Sequence, residues 1–286
     1  MAISTSIIIP TLNAQSEIGG LLKSLHSQTV KPEEILVIDS SSEDETVSIC
    51  EKFDSVRVHV IKREEFDHGG TRHLGTELTS GDFILFLTQD AIPVSEHYVE
   101  NIIAPMLADN EIAMVTGRQV PKEGSRHYVQ IVQEYNYPCT SNVRDVSDIP
   151  KMGIKAFFAS DVCSAYRRST YSECGGFARP LSTNEDMLMA ATFLAKGWKV
   201  AYEASAQVFH SHNLTFKQQY ERNKLVGGFL ASHTQELRGA KETSEGKKLV
   251  KYVSKQLLKE RRFIEFAMFG LDCTARFLGN KAGKKM

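Results

Sequence analysis

The side chains of this chain best suited to chemistry are an aspartate closing an apolar run, a Glu-Asp pair far downstream, and two histidines one residue apart. Asp90 follows Phe83-Ile84-Leu85-Phe86-Leu87-Thr88-Gln89, and five apolar residues in a row read as a strand covered on both faces. In an open parallel sheet the carboxyl ends of such strands border the ligand crevice, so a lone acid there is placed to touch a metal or a substrate. Asn184-Glu185-Asp186 precedes an apolar helical stretch, and His210 and His212 follow the run 206–209. One carboxylate beside a cation and another free to take a proton would suit chemistry on a charged leaving group.

Two further strand ends carry acceptors and hydroxyls. Pro10, Thr11 and Asn13 close the run 6–9, and Asp39 closes the run 35–38 ahead of Ser40, Ser41 and Ser42. Such groups suit the base and sugar of a nucleoside, which need hydrogen bonds rather than charge; the same residues also serve as helix caps elsewhere. Glycine fingerprints of the GxGxxG or GxxxxGK[ST] kind are absent, so a phosphate must be held differently. Phe66-Asp67-His68-Gly69-Gly70-Thr71-Arg72-His73 offers a glycine turn into a helix, where the helix N-terminus and Arg72 both favour an anion. Glu185 and Asp186 have a plain alternative reading as acids that complement a helix dipole.

Positioning these residues requires a layered scaffold. Apolar runs at 6–10, 35–39, 56–61, 83–87 and 112–116 alternate with amphipathic stretches at 16–27, 43–53, 71–78 and 95–107, a βα repetition that argues for a mostly parallel sheet with helices on both faces. After residue 120 the rhythm breaks. Residues 121–156, with Pro121, Pro138 and Pro150, read as an irregular, mobile excursion over the sheet.

The composition, 42% hydrophobic and 24% charged over 286 residues, is that of an ordinary globular protein large enough for one domain with an appendage. Five cysteines without paired CxxC spacing indicate neither a disulfide framework nor a structural zinc, which fits a reducing cytoplasm. No leader or membrane-spanning run is visible, and no nucleic-acid partner is expected. Charge is unevenly spread: residues 247–286 hold eleven Lys and Arg against three acids, a net +8, which leaves −9 on residues 1–246. With apolar residues at near-helical spacing, this tail is expected either to lie on an anionic membrane surface or to pack as a helix pair with a solvated lysine face. The apolar stretch 263–271 could equally pair two protomers.

Taken in order, the motifs resemble family 2 glycosyltransferases of the GT-A fold, whose opening strand, Pro, Thr and Asn match residues 8–13, and the likeness runs from about residue 4 to 215. It implies a Rossmann-like α/β sheet with a C-terminal helical extension: residues 1–215 as the transferase domain, divided into a nucleotide-binding half (1–120) and an acceptor and catalytic half (121–215), and residues 216–286 as a basic amphipathic extension. It implies that Pro10, Thr11, Asn13, Asp39, Ser41, Arg72, Gln89 and Asp90 hold the nucleotide-sugar donor. The family's DxD falls on Thr88-Gln89-Asp90, which lacks the first carboxylate, so a Mg²⁺ or Mn²⁺ ion would rest on Asp90 and a later histidine. Asp186 is implied as the base, Glu185 as its neighbour that orients it or touches the acceptor, and Asp161 as an acceptor-side contact. The spacing of His210 and His212 is taken to send the two rings to opposite sides, so that only one, His210, faces the metal.

His68-Gly69-Gly70-Thr71-Arg72 together with Thr88-Gln89-Asp90-Ala91 is similar to bacterial rhamnosyltransferases of surface polysaccharide synthesis. The implied activity is inverting transfer of L-rhamnose from dTDP-rhamnose to a glycan or lipid-linked acceptor, in O-antigen or capsule synthesis, by a cytoplasmic protein peripheral to the inner face of the cell membrane. The alternatives are a UDP-hexose or UDP-N-acetylhexosamine transferase of the same fold and a non-catalytic nucleotide-sugar-binding scaffold.

Overall fold

Ile7 and Ile9 face one apolar layer and Ile8 the other, because successive side chains of a strand point to opposite faces. The same alternation separates Ile35 and Val37 from Leu36 and Ile38, and Leu85 and Leu87 from Ile84 and Phe86. A strand apolar on both faces must be covered on both, and that requirement sets the three-layer architecture. The computed structural model describes residues 3–237 and 243–285.

One nine-stranded sheet contains β1 (Thr5–Thr11), β2 (Glu34–Asp39), β3 (Val56–Val60), β4 (Phe83–Leu87), β5 (Ile92–Pro93), β6 (Ile112–Val120), β7 (Asn142–Arg144), β8 (Cys163–Arg167) and β9 (Lys199–Phe209). Its order is β3-β2-β1-β4-β8-β6-β9-β5, with β7 also on β9. Strands β1 to β4 run in parallel; β8 is antiparallel to both β4 and β6, and β6 is parallel to β9. Six strands therefore leave the sheet at one edge, while β8 enters there.

The helices are α1 (Ile18–His26), α2 (Thr46–Cys50), α3 (His68–Glu77), α4 (Tyr98–Ala108), α5 (His127–Asn136), α6 (Ile149–Met152), α7 (Arg168–Glu173), α8 (Glu185–Ala195), α9 (Phe216–Ser232), α10 (Thr243–Lys259) and α11 (Phe263–Gly283). Leu21, Leu22 and Leu25 of α1 share one core with Val99, Ile102 and Met106 of α4. Leu188, Phe193 and Leu194 of α8 share the other with Tyr171 of α7 and Leu74 of α3. Gly75 lets α3 approach the sheet, since a Cβ there would sit 2.5 Å from a methyl of Ile8. That approach carries Arg72, one turn earlier, below the surface.

The segment after residue 120 is more regular than its composition suggests. It forms α5 and α6 and adds β7 to the sheet edge; Arg144 of β7 is buried and donates to the carbonyls of Lys155, Ala156 and Phe158. Pro138 falls just after α5 and Pro150 inside the first turn of α6, positions where proline ends or begins a helix instead of breaking one.

Helices α5, α10 and α11 build a third small core from Tyr128, Ile131, Val253, Leu257 and Phe269. Helix α11 lies directly on α9, because a Cβ on Gly279 would meet the Tyr220 carbonyl oxygen at 2.2 Å. Residues 238–242 of the expected extension lie outside the described residues. No helix among the described residues is long and apolar enough to cross a membrane.

Candidate active site

The edge where the parallel strands end gathers side chains from five of them. Thr11 donates to Asp39 Oδ2 at 2.9 Å, and Ser42 donates to the same carboxylate from its amide (2.8 Å) and its hydroxyl (2.6 Å). Asp39 is fully buried, its lone pairs met by these three donors, so it braces the β1 and β2 ends. Asn13 and Ser41 adopt left-handed backbone with φ of 49° and 58°, which costs a non-glycine residue free energy and is concentrated at functional turns. Asn13 accepts from the Glu43 amide, and Ser41 donates to the Ile61 carbonyl. Gln89 is held by Leu12, whose amide donates to Oε1 at 2.8 Å.

Between these turns lies a cleft of about 220 Å³ lined by Pro10, Thr11, Ser40, Arg63, Phe66, His68, Arg72, Thr88 and Gln89. Thr88 Oγ1 is buried there without a hydrogen-bond partner, a polar atom that folding ordinarily leaves satisfied. Arg63 had no place in the sequence reading, since a short 3₁₀ turn after β3 carries no periodic signal; Phe66 entered it only as the first residue of the glycine-turn motif.

Asp90, His210 and His212 converge, with ligand atoms all within 4.8 Å of one another. His210 Nε2 is 3.6 Å and His212 Nε2 3.5 Å from Asp90 Oδ2, and Lys122 Nζ is 3.1 Å from the same oxygen. The expectation that only one ring faces inward is corrected: the two rings meet edge to face, 4.7 Å between centroids, because residues two apart on extended backbone share a side. Lys122 follows the end of β6; its place at a strand's carboxyl end was the available signal.

The tautomer of His210 follows from its neighbours. Gln119 donates through Nε2 to Tyr137 and Ser160, leaving Oε1 to accept from His210 Nδ1 at 2.8 Å. The lone pair therefore sits on Nε2, aimed at Asp90. Burial pushes the His210 pKa down to about 4, against the pull of Asp90; His212 is shifted downward for the same reasons. Asp90 itself is opposed by burial but held below the usual carboxylate range by His210, Lys122 and His212. Two neutral imidazoles and one ionised carboxylate form a donor set that fits a divalent transition ion such as Mn²⁺, with open positions left for other oxygens.

A second cluster lies under the same edge. Because β8 enters where the other strands leave, it brings in Ser160 and Asp161, and the Asp161 amide donates to Asp186 Oδ2 at 3.0 Å. Asp161, 2% exposed, accepts from Ser164 (2.6 Å) and Tyr166 (2.7 Å), so it lies beneath Asp186 and is not among the residues lining the cavities. Arg72, expected to face an anion, places Nη1 2.9 Å from Glu185 and Nε 3.7 Å from Asp161, while also bordering the nucleotide-sized cleft. One guanidinium thus pairs with two carboxylates and also feels the charge of Asp186. Burial raises Asp161 to about 6 even against Arg72, and burial with the Glu185 and Asp161 charges raises Asp186 well above its ordinary value. A partly accessible carboxyl with its pKa raised by burial and neighbouring acids is suited to exchange a proton with a substrate hydroxyl.

A cavity of about 300 Å³ is lined by His210 and His212 of the first cluster, by Ser160 next to Asp161, and by Gln119, Tyr137, Gln219, Arg222, Asp272 and Arg276 among others; Asp90 and Asp186 lie outside this lining. Arg222, on α9, lines this cavity with both histidines; its charge lowers their pKa, and Asp186 acts on it in turn. Nothing in the α9 sequence marks Arg222, because its role depends on how α9 docks.

A family model described as glycosyl transferase family 2 matches residues 6–175. The chain is 39% identical to the O-antigen chain rhamnosyltransferase RfbN of Salmonella typhimurium and 36% identical to WbaN of Salmonella anatum, each match covering 98% of this chain and 89% of the relative. Among solved structures, a mannosyltransferase from Pyrobaculum calidifontis in complex with GDP-Man and Mn²⁺ superposes with a TM-score of 0.68 at 12% identity, over 99% of this chain and 87% of that one. TarS (residues 1–349) of S. aureus in complex with UDP-GlcNAc gives 0.58 at 15% identity, over 99% and 92%. The fold is the GT-A fold of such neighbours, and the matches extend over 99% of this chain, its C-terminal helices included.

Proposed function

The chain belongs to glycosyltransferase family 2 and is a glycosyltransferase, and from that premise we propose that it transfers L-rhamnose from dTDP-rhamnose, with inversion, to a glycan or lipid-linked acceptor of a bacterial surface polysaccharide such as O-antigen or capsule. The observation that carries the donor assignment is the match to O-antigen rhamnosyltransferases along nearly the whole chain. In this reading residues 1–215 are the transferase unit and 216–286 an extension whose α9 and α11 complete the cavity.

The nucleotide occupies the cleft between the β1 and β4 ends, with Asp39 bracing the turns around Thr11, Asn13 and Ser41. Asp90, His210 and His212 would hold a Mn²⁺ or Mg²⁺ ion, which would supply Lewis-acid stabilisation to the departing diphosphate. Lys122 keeps Asp90 ionised and adds a second positive group beside the same oxygens. Asp186 accepts the proton of the acceptor hydroxyl as that oxygen attacks the anomeric carbon and the bond to the diphosphate breaks. Arg72 and Glu185 fix the turn that presents Asp186. A single displacement is supported by one accessible carboxyl base and by Cys163 being buried with its thiol pKa raised, the opposite of an activated nucleophile.

We place the enzyme at the inner face of the cell membrane. Phe263 and Ile264, 64% and 80% exposed at the start of α11, follow Arg261 and Arg262, the apolar and basic pairing of an interfacial helix. Donor consumption measured across dTDP-, UDP- and GDP-sugars tests the assignment. Transfer confined to UDP-sugars would replace rhamnose with a hexose or N-acetylhexosamine, and no turnover of any donor would favour a binding scaffold.

A further inference from the structure

Arg144 of β7 is 4% exposed, yet only part of its guanidinium is used. Nη1 donates to the carbonyls of Lys155 (2.9 Å), Ala156 (3.2 Å) and Phe158 (2.8 Å), while Nε and Nη2 are buried with no hydrogen-bond partner among the described residues. A guanidinium half unmet in the interior is destabilising, because its lost hydration is not replaced. The acid whose charge acts on it is Asp148, which accepts from the Asp145 amide. Burial still pushes the Arg144 pKa down to about 10, and at neutral pH the group stays cationic.

Arg144 lines a cavity of about 190 Å³, walled by Tyr135, Met152, Phe158 and Tyr202. It adjoins the active-site cavity through Asn136 and Phe158, which line both, but Asp90, Asp186, His210 and His212 do not line it. Lys155 lines it as well, with Nζ 3.0 Å from Glu245 Oε2 and 4.5 Å from the centre of the Tyr135 ring. That second cation is already paired, which leaves Arg144 as the unmet positive charge.

Two features select the occupant. Nε and Nη2 share one edge of the planar guanidinium, the edge whose two N–H groups match the two oxygens of a carboxylate. A tetrahedral phosphate needs more donors than one such edge, and the walls offer mainly aromatic and thioether surface. A cavity of about 150 Å³ is enough for a benzene ring, so a ring-sized apolar body fits here beside its carboxylate.

We propose that this cavity is a second ligand site, which takes a small monocarboxylate with a flat apolar body, the carboxylate bridging Arg144 Nε and Nη2 and the body lying against Tyr135, Phe158 and Tyr202. The site is separate from the sugar-transfer chemistry and does not depend on the donor or acceptor assigned above.

The test titrates the full-length protein by calorimetry with benzoate, with its uncharged isostere benzamide and with inorganic phosphate. Benzoate should bind one site per chain, at least tenfold more tightly than the other two, and with unchanged affinity when dTDP and Mg²⁺ are added. Arg144→Lys keeps a charge without the fork and should weaken benzoate at least tenfold. Because Arg144 also holds three carbonyls, Met152→Trp is the second variant: it fills the cavity with Arg144 in place and should abolish binding in a chain whose circular dichroism is unchanged. Lys155→Met should alter benzoate affinity less than threefold. The inference is overturned by equal binding of benzamide or phosphate, by displacement of benzoate with dTDP and Mg²⁺, by loss of binding in Lys155→Met, or by full binding in folded Met152→Trp. Absence of saturable benzoate binding up to about 10 mM overturns it too, and leaves the transferase reading untouched.

Discussion

Replacing Arg72 by Met removes the guanidinium that ion-pairs with Glu185 and Asp161 and leaves three carboxyls, including Asp186, in a buried cluster. Two charges about 4 Å apart at an effective dielectric constant near 20 interact by about 4 kcal/mol, and breaking a buried pair by deleting one partner costs roughly 3–5 kcal/mol. That cost depends on pH. Asp161 and Asp186 already have folded-state pKa values above those of the unfolded chain, and losing Arg72 raises them further. As pH falls below the unfolded value of about 3.9, Asp161 and Asp186 become protonated in both states, so little of their penalty remains. As pH rises past the unfolded values, the unfolded chain releases protons that the folded variant retains, and stability is lost. Urea denaturation should therefore show a deficit of about 3–5 kcal/mol at pH 7.5 that shrinks by more than half at pH 4.5. Glu185→Gln on the same background should restore part of it. A deficit that is equal at both pH values would mean that Arg72 acts through packing alone, and the charge argument would fail.

Asp186→Asn should lower kcat by about 10²–10⁴ while donor binding is kept, and an unchanged kcat in a folded variant would remove Asp186 as the base. Gln119→Leu frees the His210 ring and should weaken Mn²⁺ binding by about 10–100-fold, read by electron paramagnetic resonance; unchanged affinity would show that the ring orientation does not matter. Because both imidazole pKa values are depressed, that of His210 to about 4, proton competition for Mn²⁺ should set in on the acid side of about 6.5, the pH of an ordinary imidazole, and a loss of affinity centred at about 6.5 would refute it. Ile264→Glu, at a residue 80% exposed, should reduce sedimentation with anionic vesicles and leave thermal stability unchanged. Gly279→Val forces a side chain against the Tyr220 carbonyl and should cost about 1–3 kcal/mol, measured by the same denaturation method.

What the linear chain determined is whatever depends on local periodicity. Five apolar strand runs, the helices between them and the carboxylates at the strand ends were legible because a buried strand needs continuous apolar residues and a crevice needs polar groups where the strands stop. Asp90 was recognisable for the same reason, whereas Asp186, in the first turn of α8, was singled out as the base only through the family resemblance. The tertiary structure alone decided which groups share a pocket. The antiparallel course of β8 carries Asp161 beneath Asp186, the close approach of α3 at Gly75 turns Arg72 toward Glu185, and the docking of α9 and α11 brings Arg222, Asp272 and Arg276 to a site otherwise built some hundred residues earlier. Such pairings have no signature in spacing, because ionic and hydrogen-bonding contacts depend on distances across elements, and those are set by packing after every local preference has been met.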